Sequence, residues 1–286
     1  MSEFFPGPTP AGFQRLWLRR DWGWQHLLAG GDGPPLVLVH GLGGSHLDFT
    51  ALLPALAGGY TCLVPDQPGF GLSSKPDVDY SIEFMTESMA GLAAELGLER
   101  ARWLGHSLGG HVTLWLAATR PELVARLAAV CPAGGHHGGS LGRKALRAAM
   151  ANRDGRLRFY HPRLMDLALD FVFAQPPWGS AWEGMPPVRA RFHAQWDGPE
   201  RPLLERSLTR ASGGVLAHPL LGRLGGLRAP VLLIEGQGDR VIPPAQTQAL
   251  WPELPPGSQR VELPGGHMLP YRTPGPLAEV LLAFLA

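Results

Sequence analysis

The spacing of apolar and polar positions changes several times along the chain, and each change marks an element. Phe13 to Arg19 and Trp22 to Ala29 alternate apolar with polar residues on either side of Arg20-Asp21, which predicts an antiparallel hairpin with one wet face. The segments Leu36-Val37-Leu38-Val39, Thr61-Cys62-Leu63-Val64, Arg102-Trp103-Leu104, Leu127 to Cys131 and Val231-Leu232-Leu233-Ile234 are short and nearly all apolar. Strands covered on both faces of a parallel sheet have this composition. Between them the period lengthens. Ile82, Met85, Met89, Leu92 and Leu96 are three or four residues apart, with Ser81 as a candidate N-cap and Gly97 as the stop. A second helical segment follows Ser107, carries Val112, Trp115 and Leu116, and ends before Arg120-Pro121. Strands alternating with helices of this size predict an α/β fold with a doubly wound sheet.

The alternation stops between residues 133 and 225. There Leu141 to Ala151, His161 to Ala174 and Leu203 to Leu216 have helical spacing, joined by links rich in proline and tryptophan. Glycine clusters flank the stretch at Gly134-Gly135 and Gly225-Gly226, and the sheet pattern resumes near Pro230. The expected organisation is a core of residues 1–132 and 226–286 with a helical insertion at 133–225.

Composition narrows the function classes. A 45% hydrophobic and 17% charged chain has enough apolar surface for a core and too little charge for disorder. Its formal net charge of +1 gives no field for nucleic acid and no polybasic arm for a membrane. Lys75 and Lys144 are the only lysines, so the positive charge is almost all arginine. No apolar run approaches the ~18 residues that span a bilayer, and the first residues lack the pattern of a signal peptide. Cys62 and Cys131 fall inside apolar runs and are expected to be reduced core residues. The expectation is a cytoplasmic protein without membrane insertion, either monomer or homodimer.

The most specific chemical signal is Gly105-His106-Ser107-Leu108-Gly109, directly after one predicted strand and directly before a helix. A turn this tight excludes Cβ atoms at its flanks and lifts the serine hydroxyl above the sheet edge, at a helix N-terminus that favours developing negative charge. The bland alternative is a structural serine in a glycine-rich turn. His40-Gly41-Leu42-Gly43-Gly44 follows the strand ending at Val39, where a second oxyanion donor has to originate, although it also suits a simple strand exit. The backbone N–H groups of Leu42 and Leu108 are the candidate oxyanion hole. A serine nucleophile needs a base, and the base an orienting acid. Asp239 lies just past the strand Val231 to Ile234, and His267 hangs in a loop after Val261-Glu262-Leu263, giving the order Ser107, Asp239, His267. Glu235 is the rival acid, but it falls on the strand itself.

At these residues the chain resembles the α/β-hydrolase superfamily, over both flanks of the insertion. The resemblance implies a mostly parallel eight-stranded sheet, a helical cap over the active site, and the roles of nucleophile, acid and base for Ser107, Asp239 and His267. Asp66-Gln67-Pro68-Gly69-Phe70-Gly71-Leu72-Ser73 resembles a further loop signature of capped members, with Asp66 expected to be structural. A serine nucleophile separates the chain from similar dehalogenases and epoxide hydrolases, which place aspartate there. The elbow Gly-His-Ser-Leu-Gly-Gly resembles those of esterase-like and thioesterase-like members. The expectation is a serine hydrolase that cleaves carboxylic esters, or thioesters, of small, largely apolar substrates through an acyl-enzyme on Ser107, with no metal or organic cofactor. Two alternatives are a hydrolase of carbon–carbon bonds in a vinylogous diketone and a capped ligand receptor with little turnover.

Candidate substrate contacts are His40, Phe49, His106, Trp178, Trp182, Trp196 and Met268, with Phe171, Phe173 and Phe192 as further aromatics of the insertion. For the insertion aromatics, a small core of their own is an equal alternative. For His106 in the variable elbow position and His111 on the following helix, packing is the favoured reading. His136-His137 has no further ligand at metal spacing.

Overall fold

A computed structural model describes residues 7–136, 162–173 and 184–286. β1 (Phe13–Arg20) and β2 (Gly23–Gly30) form the expected hairpin, in register from Phe13 opposite Gly30 to Arg20 opposite Gly23. β3 (Pro35–Val39), β4 (Thr61–Pro65), β5 (Ala101–His106), β6 (Val124–Val130), β7 (Val231–Gln237) and β8 (Gln259–Pro264) complete one eight-stranded sheet of order β1-β2-β4-β3-β5-β6-β7-β8. β2 runs antiparallel to β1 and β4, and every pair from β4 to β8 is parallel. The chain goes from β3 outward to β4 and then crosses to β5 on the other side of β3. The carboxyl ends of β3 and β5 are therefore the topological switch point, where sheets of this kind place their ligands.

Strand residues alternate between two apolar layers, as a sheet covered on both faces requires. Val37, Val39, Trp103, Leu127, Ala129, Val231 and Leu233 enter one layer, with Met85 and Met89 of α2 (Ile82–Glu95) and Val112 and Leu116 of α3 (Leu108–Thr119). Leu36, Leu38, Leu104, Ala128, Val130, Leu232 and Ile234 enter the other, with Leu53 and Leu56 of α1 (Leu53–Leu56) and residues of the C-terminal helix such as Leu277 and Leu281. The ends of α2 follow their residues. The Phe84 N–H donates to Ser81 Oγ at 3.2 Å, and Gly97 takes the left-handed conformation with φ +66°. Cys62 and Cys131 are buried and unpaired.

Between β6 and β7 lie α4 (Pro162–Phe173), α5 (Met185–Trp196) and α6 (Arg201–Ala217). α4 and α6 fall where apolar spacing predicts helices, whereas Leu141 to Ala151 lies outside the described residues. α5 is not anticipated. Pro186-Pro187 stands in its first turn, where missing N–H groups cost nothing, and its apolar spacing is weak. α6 approaches the chain before α2 so closely that a Cβ on Gly214 would come within 2.8 Å of the Tyr80 carbonyl oxygen. Arg206 and Arg210 pair with Asp77, and Lys75 with Glu200 at 2.7 Å, fastening α6 and its start to the loop ahead of α2. The remaining helices are α7 (Pro244–Gln248), α8 (Leu269–Arg272) and α9 (Pro274–Leu285). No helix of the described residues is long and apolar enough to cross a membrane.

Candidate active site

Ser107 sits between β5 and α3 at φ 54° and ψ −115°, a conformation that side chains rarely adopt. Its surroundings enforce it. The Ser107 N–H donates to the Val130 carbonyl at 2.9 Å, and its own carbonyl accepts from the N–H groups of His111 and Ala133, both at 3.0 Å. A Cβ on Gly105 would strike the Gly109 carbonyl, and one on Gly109 would strike the carbonyls of Val39 and His40, so neither flank tolerates a side chain.

Asp239 follows β7 after Gly238, which has φ +71°. Its Oδ1 accepts the N–H groups of Val241 and Ile242, both at 2.8 Å. Its Oδ2 lies 2.7 Å from His267 Nδ1. His267 follows β8 across Gly265 and Gly266, both at positive φ, and its Nε2 lies 3.0 Å from Ser107 Oγ. Hydroxyl, imidazole and carboxylate thus form one continuous hydrogen-bonded chain over the carboxyl ends of β5, β7 and β8. Neutral imidazole with its proton on Nδ1 donates to Asp239 and leaves Nε2 to accept the serine proton. Glu235 is turned away, accepting from Gln248 Nε2 at 2.9 Å and facing Arg260 at 3.7 Å.

The loop after β3 packs against this elbow. A Cβ on Gly41 would stand 3.3 Å from both Ser107 Cβ and His106 Nδ1, and Leu108 opens α3 directly beside the serine. His40 is fully buried. Its Nε2 accepts the Gln67 N–H at 3.0 Å, its Nδ1 lies 2.8 Å from the Gly41 carbonyl, and Gln67 Nε2 donates back to the His40 carbonyl at 2.7 Å. These bonds make His40 a brace for its own loop instead of a substrate contact. His106 braces the histidine loop, with Nε2 2.9 Å from the His267 carbonyl. Burial pushes its pKa down to about 3, with the neighbouring His267 acting in the same direction, so it is neutral at ordinary pH. Phe49 is fully buried inside the second apolar layer with Leu36 and Leu281. His111 is likewise fully buried behind the elbow.

Met268 joins Leu169, Phe173 and Val188 in an apolar cluster that links the histidine loop to α4 and α5. Trp196 packs with Leu204, Phe192 and Leu208, as core among the inserted helices. Phe171 is half exposed on α4. Trp178, Trp182 and His137 lie outside the described residues.

Asp66, at the end of the β4 strand, is structural. Its carboxylate accepts N–H groups from His46 at 2.6 Å and Leu72 at 2.8 Å and faces the rings of His26 and His46 at 3.0 Å. Burial opposes its ionisation, but His46 and His26 hold its pKa well below the usual carboxylate range. Two groups among the described residues bring three metal-capable donors within 4.8 Å: His26, His46 and Asp66, and Cys131, Asp239 and His267. In both, the carboxylate already accepts at least two N–H donors, as a structural or catalytic carboxylate does.

The chain is similar to known proteins in sequence and in fold. Residues 34–179 match the family model of the alpha/beta hydrolase fold, just over half of the chain. A magnesium-chelatase 30 kDa subunit of Rhodobacter capsulatus is 30% identical over 250 residues, covering 83% of this chain and 82% of that protein. The structure of a hydrolase from Pseudomonas aeruginosa superimposes with a TM-score of 0.79 at 26% identity, covering 97% of this chain and 100% of that one. A thermophilic esterase of Thermogutta terrifontis gives 0.77 at 25% identity, over 95% and 98% of the two chains. With a parallel sheet in this strand order, a serine at a strained strand-to-helix elbow and a family model matched across it, the chain belongs to the α/β-hydrolase family.

Proposed function

We propose that the protein is a serine hydrolase that cleaves carboxylic esters of small, largely apolar substrates through an acyl-enzyme on Ser107. The observation that carries this reading is the pair of contacts at 3.0 Å and 2.7 Å that links Ser107 Oγ through His267 to Asp239. His267 Nε2 takes the hydroxyl proton as Ser107 Oγ bonds to the carbonyl carbon. Negative charge collects on the carbonyl oxygen, and the N–H groups of Leu42 and Leu108 stabilise it. The imidazolium then gives its proton to the leaving alkoxide as the C–O bond breaks. Water, deprotonated by the same nitrogen, attacks the acyl carbon and releases the acid and the serine. Asp239 fixes the tautomer and offsets the charge that His267 acquires.

Residues 133–225 act in this reading as a cap, and the cluster around Met268, Leu169, Phe173 and Val188 favours an apolar group on the substrate. The esterase from Thermogutta terrifontis, similar over nearly its whole length, agrees with this reading. The test is mass-spectrometric mapping of a fluorophosphonate adduct, followed by turnover of p-nitrophenyl esters of increasing chain length. Labelling at Ser107 with fast turnover is expected. An adduct elsewhere, or labelling without turnover of any ester, overturns the ester-hydrolase reading.

A further inference from the structure

Three polar side chains from distant stretches of the chain meet beside the serine–histidine–aspartate line but outside it. Asp48, on the 3₁₀ turn His46–Phe49, is only 3% exposed. The Tyr271 hydroxyl on α8 donates to its Oδ1 at 2.6 Å. Arg191 on α5 reaches the same oxygen from Nη2 at 3.4 Å, the Leu47 carbonyl from Nη1 at 3.4 Å, and also the Tyr271 oxygen. Its guanidinium carbon lies 5.0 Å from the centre of the Tyr271 ring. On its other side the Asp48 N–H donates to the Ser45 carbonyl at 2.9 Å, and the carboxyl packs so closely on Gly44 that a Cβ there would overlap it. Gly44 in turn closes the tight turn around Leu42, with its N–H 3.2 Å from the Gly41 carbonyl.

A carboxylate buried this deeply needs a countercharge and donors. One comes from the inserted helices, through Arg191. Another comes from the segment just past His267, since the Tyr271 N–H donates to the Met268 carbonyl at 3.0 Å. We propose that Asp48 is a positioning residue for acyl transfer: held by Arg191 and Tyr271, it fixes the turn from Gly41 to Ser45 so that the Leu42 N–H faces the reacting oxygen. The inference rests on the serine-hydrolase reading above. It makes the seating of α5 a condition for a competent oxyanion loop, because withdrawing Arg191 leaves the carboxylate without its cation.

The groups facing Asp48 are Arg191 from α5, Tyr271 from α8, His40 from the end of β3, and Asp66 from the end of β4 with His46 beside it. Burial raises the Asp48 pKa above its ordinary value; Arg191 and His40 oppose the rise and Asp66 adds to it. Loss of Arg191 raises it further, so protonation then loosens the turn at a higher pH than in the wild type.

The experiment measures the rate at which a fluorophosphonate modifies Ser107, from acid to alkaline pH. In that step the Ser107 Oγ–P bond forms, the P–F bond breaks, fluoride leaves, and the serine proton passes to His267. The phosphoryl oxygen uses the same backbone donors as an acyl oxyanion. Asp48→Asn and Arg191→Met are each expected to slow labelling by about 10-fold. The double variant is expected to be no slower than the slower single variant, as for two members of one unit. The deficit of Arg191→Met grows toward low pH and that of Asp48→Asn does not. Tyr271→Phe, which removes one donor and no charge, gives a smaller deficit and serves where Asp48→Asn fails to fold, with thermal unfolding read in parallel. Labelling rates within twofold of wild type in all these variants overturn the inference alone. A wild-type protein that takes no label at Ser107 overturns the underlying serine-hydrolase reading instead.

Discussion

Ser107 is held by its surroundings in a conformation that few residues adopt. Its positive φ persists because three backbone hydrogen bonds and two glycine flanks leave no relaxed alternative. Replacing it with alanine removes the nucleophile while leaving those backbone bonds intact. Ser107→Ala is therefore expected to fold normally and lose turnover by ~10³-fold or more, measured on the best p-nitrophenyl ester. Activity within tenfold of wild type would remove Ser107 from the mechanism. This residue was legible because its motif is contiguous and stands between a strand and a helix. Asp239 and His267 were legible as residues just past strand ends. Less legible were the roles of neighbouring side chains. His40, His106 and Phe49 have the right types for substrate contacts, but the fold uses them to brace loops and fill the core. Nothing local marks Asp48, Arg191 and Tyr271 as partners, because they meet only through tertiary packing.

At the scale of elements, β7 and the histidine loop leave no room between them for a side chain. A Cβ on Gly236 would overlap the Gly266 carbonyl, which immediately precedes His267. Gly236→Ala must therefore push that loop outward or distort β7. The expected result is a fall in kcat of about 10-fold or more with a smaller change in KM, because a displacement of about 1 Å at a reacting group is costly. Steady-state kinetics on one ester would settle it; wild-type kcat would mean the loop accommodates the methyl group elsewhere. The hairpin was readable from alternation with one wet face, and β3 to β7 from short apolar runs covered on both faces; β8, mostly exposed, carries no such run. The order of the strands was not readable, because the register of β4 beside β2 and β3 depends on where crossovers pack. α5 escaped detection because its prolines, which suit a helix start, also suit a loop.

For the whole molecule, the buried histidines set an acid limit on stability. His106 and His111 both have pKa values pushed down to about 3 by burial, against an ordinary 6.5. Unfolding lets them take up protons that the folded state refuses, so stability is full above about 6.5 and falls as pH drops below it. Each contributes a loss of about 1 kcal/mol by pH ~5.5. Asp66, held well below 3.8, adds a loss only at lower pH still. Urea midpoints are expected to decline from pH ~7.5 to pH ~5.5 and to decline less in His111→Phe; a flat profile would contradict neutral burial. At this scale the insertion has one more consequence. The Leu220 N–H donates to the Gly134 carbonyl at 2.9 Å, so the excursion between β6 and β7 departs and returns through a single doorway. Whatever is rebuilt beyond that doorway must still return Arg191 to Asp48 and Arg206 and Arg210 to Asp77, so a transplanted excursion carries its hinges with it or unsettles the rooms next door.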